Sequence, residues 1–305
     1  MAYQLEEINR AVRQDKLGFM QACDAEYQKK VERAADLICE NMKKSPVVLL
    51  SGPSGSGKTT TAYKIRAELE RRGVGSYAIS MDDYFIHRDP KTAPRTPDGE
   101  IDYESPEMMD LALLDRHFAQ LTRGEEVLVP HFEFARQMRN DSKGRRIKLG
   151  KDEIAIFEGI HALNTKLTAR HPHATRLYIS ARSNIMEGDV VRFKATWMRL
   201  TRRAVRDFNF RGTDIVGTLD MWANVRRGEK LYISPYKHTA HMLFDSALPY
   251  EVSVMACYAR PLMAAVPQEN QRRHELLELV RAFDSFETIE PGLVPKDSLL
   301  HEFIG

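Results

Sequence analysis

Cysteine is scarce in this chain, and long apolar runs are missing. The 305 residues include only Cys23, Cys39 and Cys257, which lie far apart and form no CxxC pair. A sparse and odd set of thiols is typical of a reducing compartment rather than of a disulfide-stabilised secreted domain. No apolar run approaches the length of a membrane span, and residues 1–13 carry acids without an apolar signal core. These absences predict a cytoplasmic protein with no membrane partner.

The chain also lacks an excess of charge of either sign. The 45 lysines and arginines are balanced by 43 aspartates and glutamates, which leaves a net charge of +2. This balance provides no global attraction to nucleic acid, so we expect no nucleic-acid partner. With 43% hydrophobic residues, the chain can bury a large core in one or two domains.

The most informative stretch that is present is the glycine-rich run from Ser51 to Thr60. It fits the pattern G-x-x-x-x-G-K-[ST], with a short apolar run before it (47–50) and helical spacing of apolar residues after it (61–72). In a strand–loop–helix arrangement, the N–H groups of the loop and the helix N-terminus converge on a polyanion. This loop, called the P-loop below, predicts a nucleoside triphosphate site formed by Gly52, Ser54, Gly55, Ser56, Gly57, Lys58, Thr59 and Thr60.

Two residues of the P-loop have predicted chemical roles. Lys58 should reach the β- and γ-phosphates, and the Thr59 hydroxyl should ligand Mg²⁺. The alternative, a glycine-rich turn with an incidental lysine, is disfavoured by the flanking strand and helix. The P-loop does not identify the phosphate acceptor, because ATPases, GTPases, motor proteins and small-molecule kinases all share it.

Alternating strand and helix patterns predict the fold class. The candidate strands are 46–51, 76–81, 153–158, 175–180 and 241–245, with helical patterns between several of them. This alternation indicates an α/β fold, a P-loop NTPase-type parallel sheet flanked by helices. We expect a helical N-terminal lead-in at 1–45, the P-loop domain at 46–265, and a C-terminal helix and tail at 266–305.

Two further segments are distinguished by their composition. Residues 86–102 contain Pro90, Pro94, Pro97 and Gly99, and an irregular loop of this length is often functional. The chain ends in the apolar run 299–304, which should dock on the body of the protein or on a partner subunit. We expect a homo-oligomer.

Carboxylates follow two of the predicted strands. Asp82 and Asp83 come directly after the second strand, and Glu158 ends the third. In open parallel sheets, ligands bind at the carboxyl ends of the strands. Phosphoryl transfer needs a group that accepts or orients the proton of the attacking hydroxyl, and carboxylates near Mg²⁺. Asp82 or Asp83 could be the base and Glu158 could reach the metal; the alternatives are a solvated turn and a helix-start acid.

Four arginines recur at helical spacing and share one face of a predicted helix. They are Arg199, Arg202, Arg203 and Arg206, and Arg211 follows them. A separate apolar face consists of Trp197, Leu200, Ala204 and Phe208. Guanidinium groups match phosphate oxygens bidentately, so the stripe is predicted to clamp the transferring phosphates. The alternatives are a solvated face balanced by acids, of which only Asp207 is near in sequence, and a nucleic-acid backbone contact.

The sequence resembles the phosphoribulokinase/uridine kinase family, in particular its bacterial uridine-kinase-like branch. The matching segments occur in order over roughly residues 46–250. They are 52–59, 80–85 (Ser-Met-Asp-Asp-Tyr-Phe), 101–106 (Ile-Asp-Tyr-Glu-Ser-Pro), 130–134 (Pro-His-Phe-Glu-Phe), 157–160 (Phe-Glu-Gly-Ile) and the arginine-rich 202–212. Segments 225–230 and 298–305 also match that branch.

The resemblance implies ATP- and Mg²⁺-dependent phosphorylation of a nucleoside 5′-hydroxyl, of uridine or cytidine type. It favours Asp82 over Asp83 as the catalytic aspartate and implies Mg²⁺ ligands at Thr59, Asp82 and Glu158. It also implies an arginine-rich helical lid over the phosphates, matched by Arg199, Arg202, Arg206 and Arg211. Lys58, Arg202 and Arg206 would then neutralise charge on the transferring group.

The expected acceptor pocket is also where the chain departs from its relatives. Its predicted residues are Asp83, Tyr84, Asp102, Phe132 and Gln137, with Asp102 at the family's ribose contact. Animal-type uridine–cytidine kinases have a tyrosine and a base-reading histidine where this chain has Phe132 and Gln137. A glutamine amide can still pair with a base edge, because it both donates and accepts. A second departure is Trp197, which replaces an acid two residues before the first lid arginine.

Two rival functions remain open at this point. One is a same-fold kinase that acts on another small alcohol, such as a sugar phosphate or a vitamin precursor. The other is a nucleotide-binding regulator without acceptor chemistry. The sequence contains no N-K-x-D guanine-specificity motif, which argues against a GTPase.

Overall fold

The computed structural model describes residues 2–87, 89, 91–133 and 136–305. Pro90 and Phe134, which were named above, lie outside the described residues. The strands, in chain order, are β1 (Ala2–Gln4), β2 (Val47–Ser51), β3 (Gly75–Ser80), β4 (Val127–Val129), β5 (Phe132–Glu133), β6 (Met138–Arg139), β7 (Arg145–Ile147), β8 (Glu153–Glu158), β9 (Thr175–Ser180), β10 (Asn184–Glu187), β11 (Val190–Phe193) and β12 (Met242–Asp245).

Helices connect these strands and cover the sheet. They are α1 (Leu5–Gln14), α2 (Lys16–Asn41), α3 (Lys58–Arg71), α4 (Leu111–Thr122), α5 (Thr165–Thr168), α6 (Ala195–Phe210), α7 (Ile215–Gly228), α8 (Glu251–Ala264), α9 (Arg273–Phe283) and α10 (His301–Ile304). A 3₁₀ helix (Met81–Tyr84) follows β3, and a π-helical turn (Glu229–Ile233) follows α7. In the part of the chain described here, no helix has the length and apolar character needed to cross a membrane.

The central sheet consists of five parallel strands in the order β12-β9-β2-β8-β3. These are the five strands predicted from the sequence. The bounds of β8 and β9 coincide with the prediction, those of β2 and β12 differ from it by one residue at the start, and β3 is shifted by one residue at both ends. The predicted α/β class with a parallel sheet is therefore confirmed.

The central strand β2 is buried along its whole length because both faces of the sheet are covered. Val48 and Leu50 belong to a core cluster that includes side chains of α2, α3, α6 and α8. Val47 and Leu49 belong to a second cluster with side chains of α4. Burial on both faces is why the strand reads as a continuous apolar run rather than as an alternating pattern.

Both terminal segments pack on the P-loop domain and on each other. Val31 and Ile38 of α2 lie in the same core cluster as Ile65 of α3. Ion pairs of 2.8 Å join Arg13 to Glu287 and Lys16 to Glu290. The three-part division of the chain at residues 45 and 265 stays a prediction.

The apolar tail docks on the body of the protein. Leu299, Leu300 and Phe303 are buried. The Ser298 and Tyr250 hydroxyls are hydrogen-bonded at 2.7 Å, and Asn209 Nδ2 of α6 donates to the Phe303 carbonyl at 3.2 Å. The tail is thereby attached to α6 and to the residue that precedes α8. The homo-oligomer stays a prediction.

Candidate active site

Glycine is required in the P-loop by positive φ angles and by close backbone approach. Gly55 and Gly57 have φ angles of 71° and 76°, a region in which a residue with a Cβ is strained. A Cβ at Gly52 would lie 1.9 Å from the Ile179 carbonyl oxygen of β9. These glycines allow the loop to turn tightly between β2 and the first residue of α3.

Side chains from distant elements hold the P-loop from behind. The Ser246 hydroxyl donates to the Ser56 carbonyl at 2.6 Å. The Thr61 hydroxyl donates to the Gly57 carbonyl at 2.7 Å, which leaves the Tyr27 hydroxyl of α2 to donate to Thr61 at 2.6 Å. The shape of the loop is therefore set by contacts within the protein, as a preorganised anion site requires.

The first residues of α3 face the end of β8, where Glu158 lies. The Thr59 hydroxyl is 3.4 Å from Glu158 Oε1, and Lys58 Nζ donates to the Pro53 carbonyl at 3.3 Å. Among the described residues, no group of three or more His, Cys, Asp or Glu side chains could hold a metal ion. Mg²⁺ in kinase sites is held by one or two carboxylates together with water and phosphate oxygens, so Thr59 and Glu158 fit such an ion.

Asp82 is the second residue of the 3₁₀ helix after β3 and is coupled electrostatically to the P-loop. Although Asp82 is accessible to solvent, desolvation raises the pKa of its carboxyl, while the charges of Lys58 and Arg211 oppose that rise. Desolvation also raises the pKa of Glu158 to about 7, with Lys58 opposing and Asp82 adding to the rise. Lys58, Asp82 and Glu158 thus surround one space, called the cleft below, at the carboxyl edge of the sheet.

Arg202, predicted as a lid arginine, points into the protein rather than into the cleft. It is fully buried and paired with Glu251 of α8, which is also fully buried. Its other N–H groups donate to the Ser246 and Gly55 carbonyls at 3.0 and 3.3 Å. Arg202 therefore supports the P-loop from behind, and its position does not fit the expected direct contact with the transferring phosphate.

Arg199 is the second predicted lid arginine that lies in the interior. It is buried and donates to Glu229 at 2.8 Å. The helical spacing suggested that the stripe presents all its guanidinium groups on one solvent-facing side. The structure differs, because Arg199 and Arg202 are buried in ion pairs. The balancing acids, Glu229 and Glu251, lie 30 and 49 residues further along the chain, where spacing within the helix cannot reveal them.

Three other arginines gather around one buried carboxylate beside the cleft. Arg203, Arg206 and Arg211 lie 3.2, 2.7 and 3.6 Å from carboxylate oxygens of Asp207. The charges of Arg211 and Arg206 extend to Asp82 and oppose the rise in its pKa. One carboxylate cannot neutralise three guanidinium groups, so this cluster is positively charged where negative charge would develop on a transferring phosphoryl group.

Glu104 is a cleft residue that the sequence analysis missed. Desolvation raises the pKa of its carboxyl to about 7, and the charges of Arg203 and Lys58 oppose that rise. A Cβ at Gly228 would lie 2.3 Å from the Glu104 Cβ, so the end of α7 packs directly on this residue. No local pattern in segment 101–106 distinguishes Glu104 from an ordinary loop acid.

Asp102 joins the loop 86–102 to the end of α7. It is buried, and its Oδ2 accepts from Arg227 Nη1 at 2.9 Å and from the Tyr232 hydroxyl at 3.0 Å. Arg227 is partly exposed and lines a cavity of about 500 Å³ together with Tyr103 and Asn224. The predicted ribose contact therefore carries a guanidinium partner that the sequence did not reveal.

Tyr84 lies in the core, contrary to its expected place in the acceptor pocket. It is fully buried, and its hydroxyl is hydrogen-bonded to His117 Nδ1 at 2.8 Å. Its ring lies 6.3 Å from that of Phe157. The 3₁₀ helix after β3 turns this fourth residue back toward the sheet, whereas Asp82 and Asp83 remain at least partly accessible.

Asp83 connects the end of β3 to the β5–β6 hairpin. Its Oδ1 accepts from the Phe132 N–H at 3.2 Å and lies 3.1 Å from His131 Nδ1. Phe132 is buried against Phe85, with ring centroids 5.8 Å apart. Asp83 and Phe132 are thus brought together, although through the backbone of Phe132 rather than through its ring.

Gln137 stands out by its backbone conformation. Among the described residues it is the one non-glycine residue with positive φ, at 49°. The His87 Nδ1–H donates to its carbonyl at 3.2 Å, which ties the hairpin to the start of the loop 86–102. Strained conformations persist where the surrounding structure imposes them, and they cluster at ligand sites. This strain marks Gln137 independently of the sequence comparison that first selected it.

The fold and the cleft together define an α/β phosphate-binding protein of the P-loop class, with carboxylates and an arginine-bearing helix at the carboxyl edge of its sheet. A family model described as "Phosphoribulokinase / Uridine kinase family" matches residues 47–253. The chain belongs to this family and is a kinase of it, as the sequence resemblance indicated.

The chain is also similar to individual known proteins. A uridine kinase of Staphylococcus aureus is 27% identical over 214 residues, which cover 70% of this chain and 93% of the relative. A solved structure assigned as a fructose transport system kinase from a Silicibacter species matches with a TM-score of 0.51 and 19% identity, over 70% of this chain and 98% of that one. A D-glycerate 3-kinase from Cryptococcus neoformans matches with a TM-score of 0.49 and 14% identity, over 68% and 89%.

Proposed function

We propose that the protein transfers the γ-phosphoryl group of ATP to the 5′-hydroxyl of a nucleoside of uridine or cytidine type. Family membership supports the phosphoryl transfer, and the uridine kinase relative supports the nucleoside acceptor. The observation that carries the proposal is the pairing of β3 with β8, in which Ser80 is opposite Glu158. This register brings Asp82 and Glu158 together beside Lys58 of the P-loop.

Each cleft residue has a distinct role in this proposal. Asp82 accepts or orients the proton of the attacking hydroxyl, and its raised pKa brings it closer to the pH at which a general base is effective. Lys58, Arg206 and Arg211 stabilise the charge on the transferring group. When bound, Mg²⁺ would supply further charge neutralisation at the phosphates, held by Thr59 and Glu158.

The acceptor side is formed by Asp102, Phe132 and Gln137. Nucleoside hydroxyls would donate to the Asp102 carboxylate, whose position is fixed by Arg227 and Tyr232. Phe132 and Gln137 would contact the base. Arg202 and Arg199 act as positioning residues, because each is buried in an ion pair away from the cleft.

A kinase for another small alcohol is the second candidate, and Arg227 favours it. This guanidinium reaches the Asp102 carboxylate and lines the adjacent cavity. A cation at that place would suit an acceptor that itself bears a negative charge, such as a sugar phosphate.

An acceptor panel separates these functions. The full chain is incubated with ATP, Mg²⁺ and single acceptors drawn from ribonucleosides, deoxynucleosides, sugar phosphates and vitamin-precursor alcohols, and ADP release is followed. We expect uridine or cytidine to give the highest kcat/KM. Stimulation by a phosphorylated alcohol alone would replace the nucleoside proposal. ATP binding without stimulation by any alcohol would indicate a nucleotide-binding regulator.

A further inference from the structure

The carboxyl-terminal tail places a carboxylate on the first turn of the P-loop helix. Glu302 Oε2, from α10, accepts from the Thr60 backbone N–H at 3.2 Å and from the Thr60 hydroxyl at 2.6 Å. Thr60 is the third residue of α3, so its N–H is among the helix-terminal donors without an intrahelical partner. Donors of this kind bind phosphate at a P-loop, so Glu302 occupies a group that a nucleotide would use.

The tail is held at this place by packing on both sides of Glu302. A Cβ at Gly57 would lie 2.8 Å from Leu299 Cδ1, so the tail touches the glycine just before Lys58. The Phe303 ring lies 5.1 Å from the guanidinium of Arg202, which supports the P-loop from behind. Leu299 and Phe303 are themselves buried. Glu302 is therefore directed at Thr60 by a docked segment and is not a mobile surface acid.

Glu302 also adds negative charge to a cleft that already holds carboxylates. Desolvation is the largest cause of the raised pKa of Glu158, followed by the charges of Lys58, which opposes the rise, and of Asp82. The charge of Glu302 raises this pKa further. A bound nucleotide would bring several further negative charges to the donors of α3. Like charges repel, and both groups would bind the same Thr60 donors, so a nucleotide phosphate and the Glu302 carboxylate compete for Thr60.

We propose that the tail is an autoinhibitory latch, in which Glu302 occupies the Thr60 donors until a nucleotide phosphate displaces it. This inference rests on the proposed nucleotide site. In the ligand-free protein the latch caps α3 and stabilises the docked tail. On nucleotide binding the Glu302 hydrogen bonds are lost, so α10 is released from the P-loop while nucleotide affinity is reduced by the competition.

The latch is tested by measuring the nucleotide affinity of variants in which a glutamate is replaced by the uncharged glutamine. ADP and inorganic tripolyphosphate are titrated calorimetrically into the full chain and into Glu302→Gln. Because the variant removes a charge and weakens two charge-assisted hydrogen bonds, we expect both probes to bind about tenfold more tightly. The matched control is Glu290→Gln, which removes an exposed carboxylate of the same terminal segment, paired with Lys16; its ADP affinity should equal that of the wild type.

Hydrogen exchange of the wild-type tail gives a second readout that needs no variant. Amides of residues 299–304 should exchange faster when ADP is bound. The latch is overturned by unchanged or weaker ADP binding in a stably folded Glu302→Gln, or by unchanged or slower exchange of the tail. A wild type that binds no ADP would contradict the nucleotide site itself. If ADP binding is lost in Lys58→Ala but is the same in Glu302→Gln as in the wild type, the nucleotide site stands and only the latch is contradicted.

Discussion

The proposed donor half and the proposed acceptor half of the cleft are built on different kinds of structure. The P-loop of the donor half lies between regular elements and is held by Arg202, Ser246 and the docked tail. The acceptor half depends on the loop 86–102 and on a hairpin whose strands β5 and β6 have two residues each. Loops on a rigid scaffold can change without loss of the fold.

This difference agrees with the sequence pattern, in which the P-loop fits its class while Phe132 and Gln137 depart from animal-type uridine–cytidine kinases. The donor side needs one fixed geometry for the phosphates, and buried ion pairs impose it. The proposed acceptor side can vary with the alcohol, as the departures at Phe132 and Gln137 illustrate. The predictions below separate the two halves by measuring nucleotide binding and acceptor use independently.

Replacing the proposed base should have the largest effect. Asp82→Asn keeps the shape of the side chain but cannot accept the proton, so we expect kcat to fall by about 10³-fold. ADP affinity, measured calorimetrically, should stay within about twofold of the wild type, because the P-loop is unchanged. The matched control is Asp83→Asn, which should act mainly on acceptor KM through its contact with Phe132. Full activity in Asp82→Asn with lost turnover in Asp83→Asn would transfer the base role to Asp83.

Breaking the buried ion pair behind the P-loop should have the next largest effect. Glu251→Ala leaves Arg202 charged and buried without its carboxylate, which should lower the free energy of unfolding by about 3–5 kcal/mol. Urea denaturation measures this change. Glu287→Ala is the control. The side chains of Arg13 and Glu287 are 58% and 42% exposed, so the loss of this ion pair should lower the free energy of unfolding by less than about 1 kcal/mol.

The double replacement Arg202→Met with Glu251→Leu sharpens this result. Apolar side chains of similar volume remove the unpaired charge, so much of the stability should return. ADP affinity of the double variant should be lower than that of the wild type, because the Gly55 carbonyl has lost its donor. Near-wild-type stability of Glu251→Ala alone would show that the pair does not hold the donor half.

Removing the Asp102 charge should affect the acceptor half alone. Asp102→Asn weakens hydrogen bonds to Arg227, Tyr232 and the acceptor hydroxyls, so we expect acceptor KM to rise by about 10- to 100-fold. ADP affinity should not change. The control is Asp98→Asn, which removes another carboxylate of the adjacent cavity. An equal loss of ADP and acceptor binding in Asp102→Asn would contradict the separation of the two halves.

The pH dependence of Mg²⁺–nucleotide binding should show the smallest effect. Desolvation raises the pKa of Glu158 from 4.5 to about 7, and a metal ligand must be deprotonated. Affinity for Mg²⁺–ADP should therefore increase as pH rises through 7, by up to about tenfold per pH unit. The Glu158 carboxyl binds its proton more tightly in the folded than in the unfolded protein. The ligand-free protein should therefore become less stable as pH rises from about 4.5 to 7.

Titrations and melting curves between about pH 5.5 and 8 measure both effects. Glu158→Gln should reduce the pH dependence in both measurements, leaving the contribution of Glu104, whose pKa burial also raises to about 7. A wild-type affinity for Mg²⁺–ADP that does not vary across this range would contradict a metal-binding role for Glu158.

The sequence predicted the donor half and the sheet because their signals are local. The P-loop residues are contiguous, and three of the five sheet strands, β2, β3 and β8, end beside predicted site residues. Helical spacing placed the arginines of α6 on one face, but it could not show that Glu229 and Glu251 cover part of that face. The missing information lies in long-range contacts. Arg227 is 125 residues from Asp102, and Glu302 is 242 residues from Thr60.

Tyr84 illustrates a second limit. It follows Asp82 and Asp83 within a segment that matches the family, yet the 3₁₀ helix directs its side chain into the core. Tyr84 lies between the charged Asp83 and the apolar Phe85, so the local pattern does not show which way its side chain turns. Glu104 was missed because its surroundings are formed by Arg203 of α6 and by the end of α7, which are distant from it in the sequence.

Identification of the reaction product tests the nucleoside acceptor most directly. The full chain is incubated with ATP, Mg²⁺ and uridine or cytidine, and products are identified by phosphorus NMR and mass spectrometry. A nucleoside kinase yields one nucleoside 5′-monophosphate for each ADP, and Asp82→Asn should form both about 10³-fold more slowly. ADP release without a phosphorylated nucleoside, or phosphorylation confined to another class of alcohol, would contradict the proposed function.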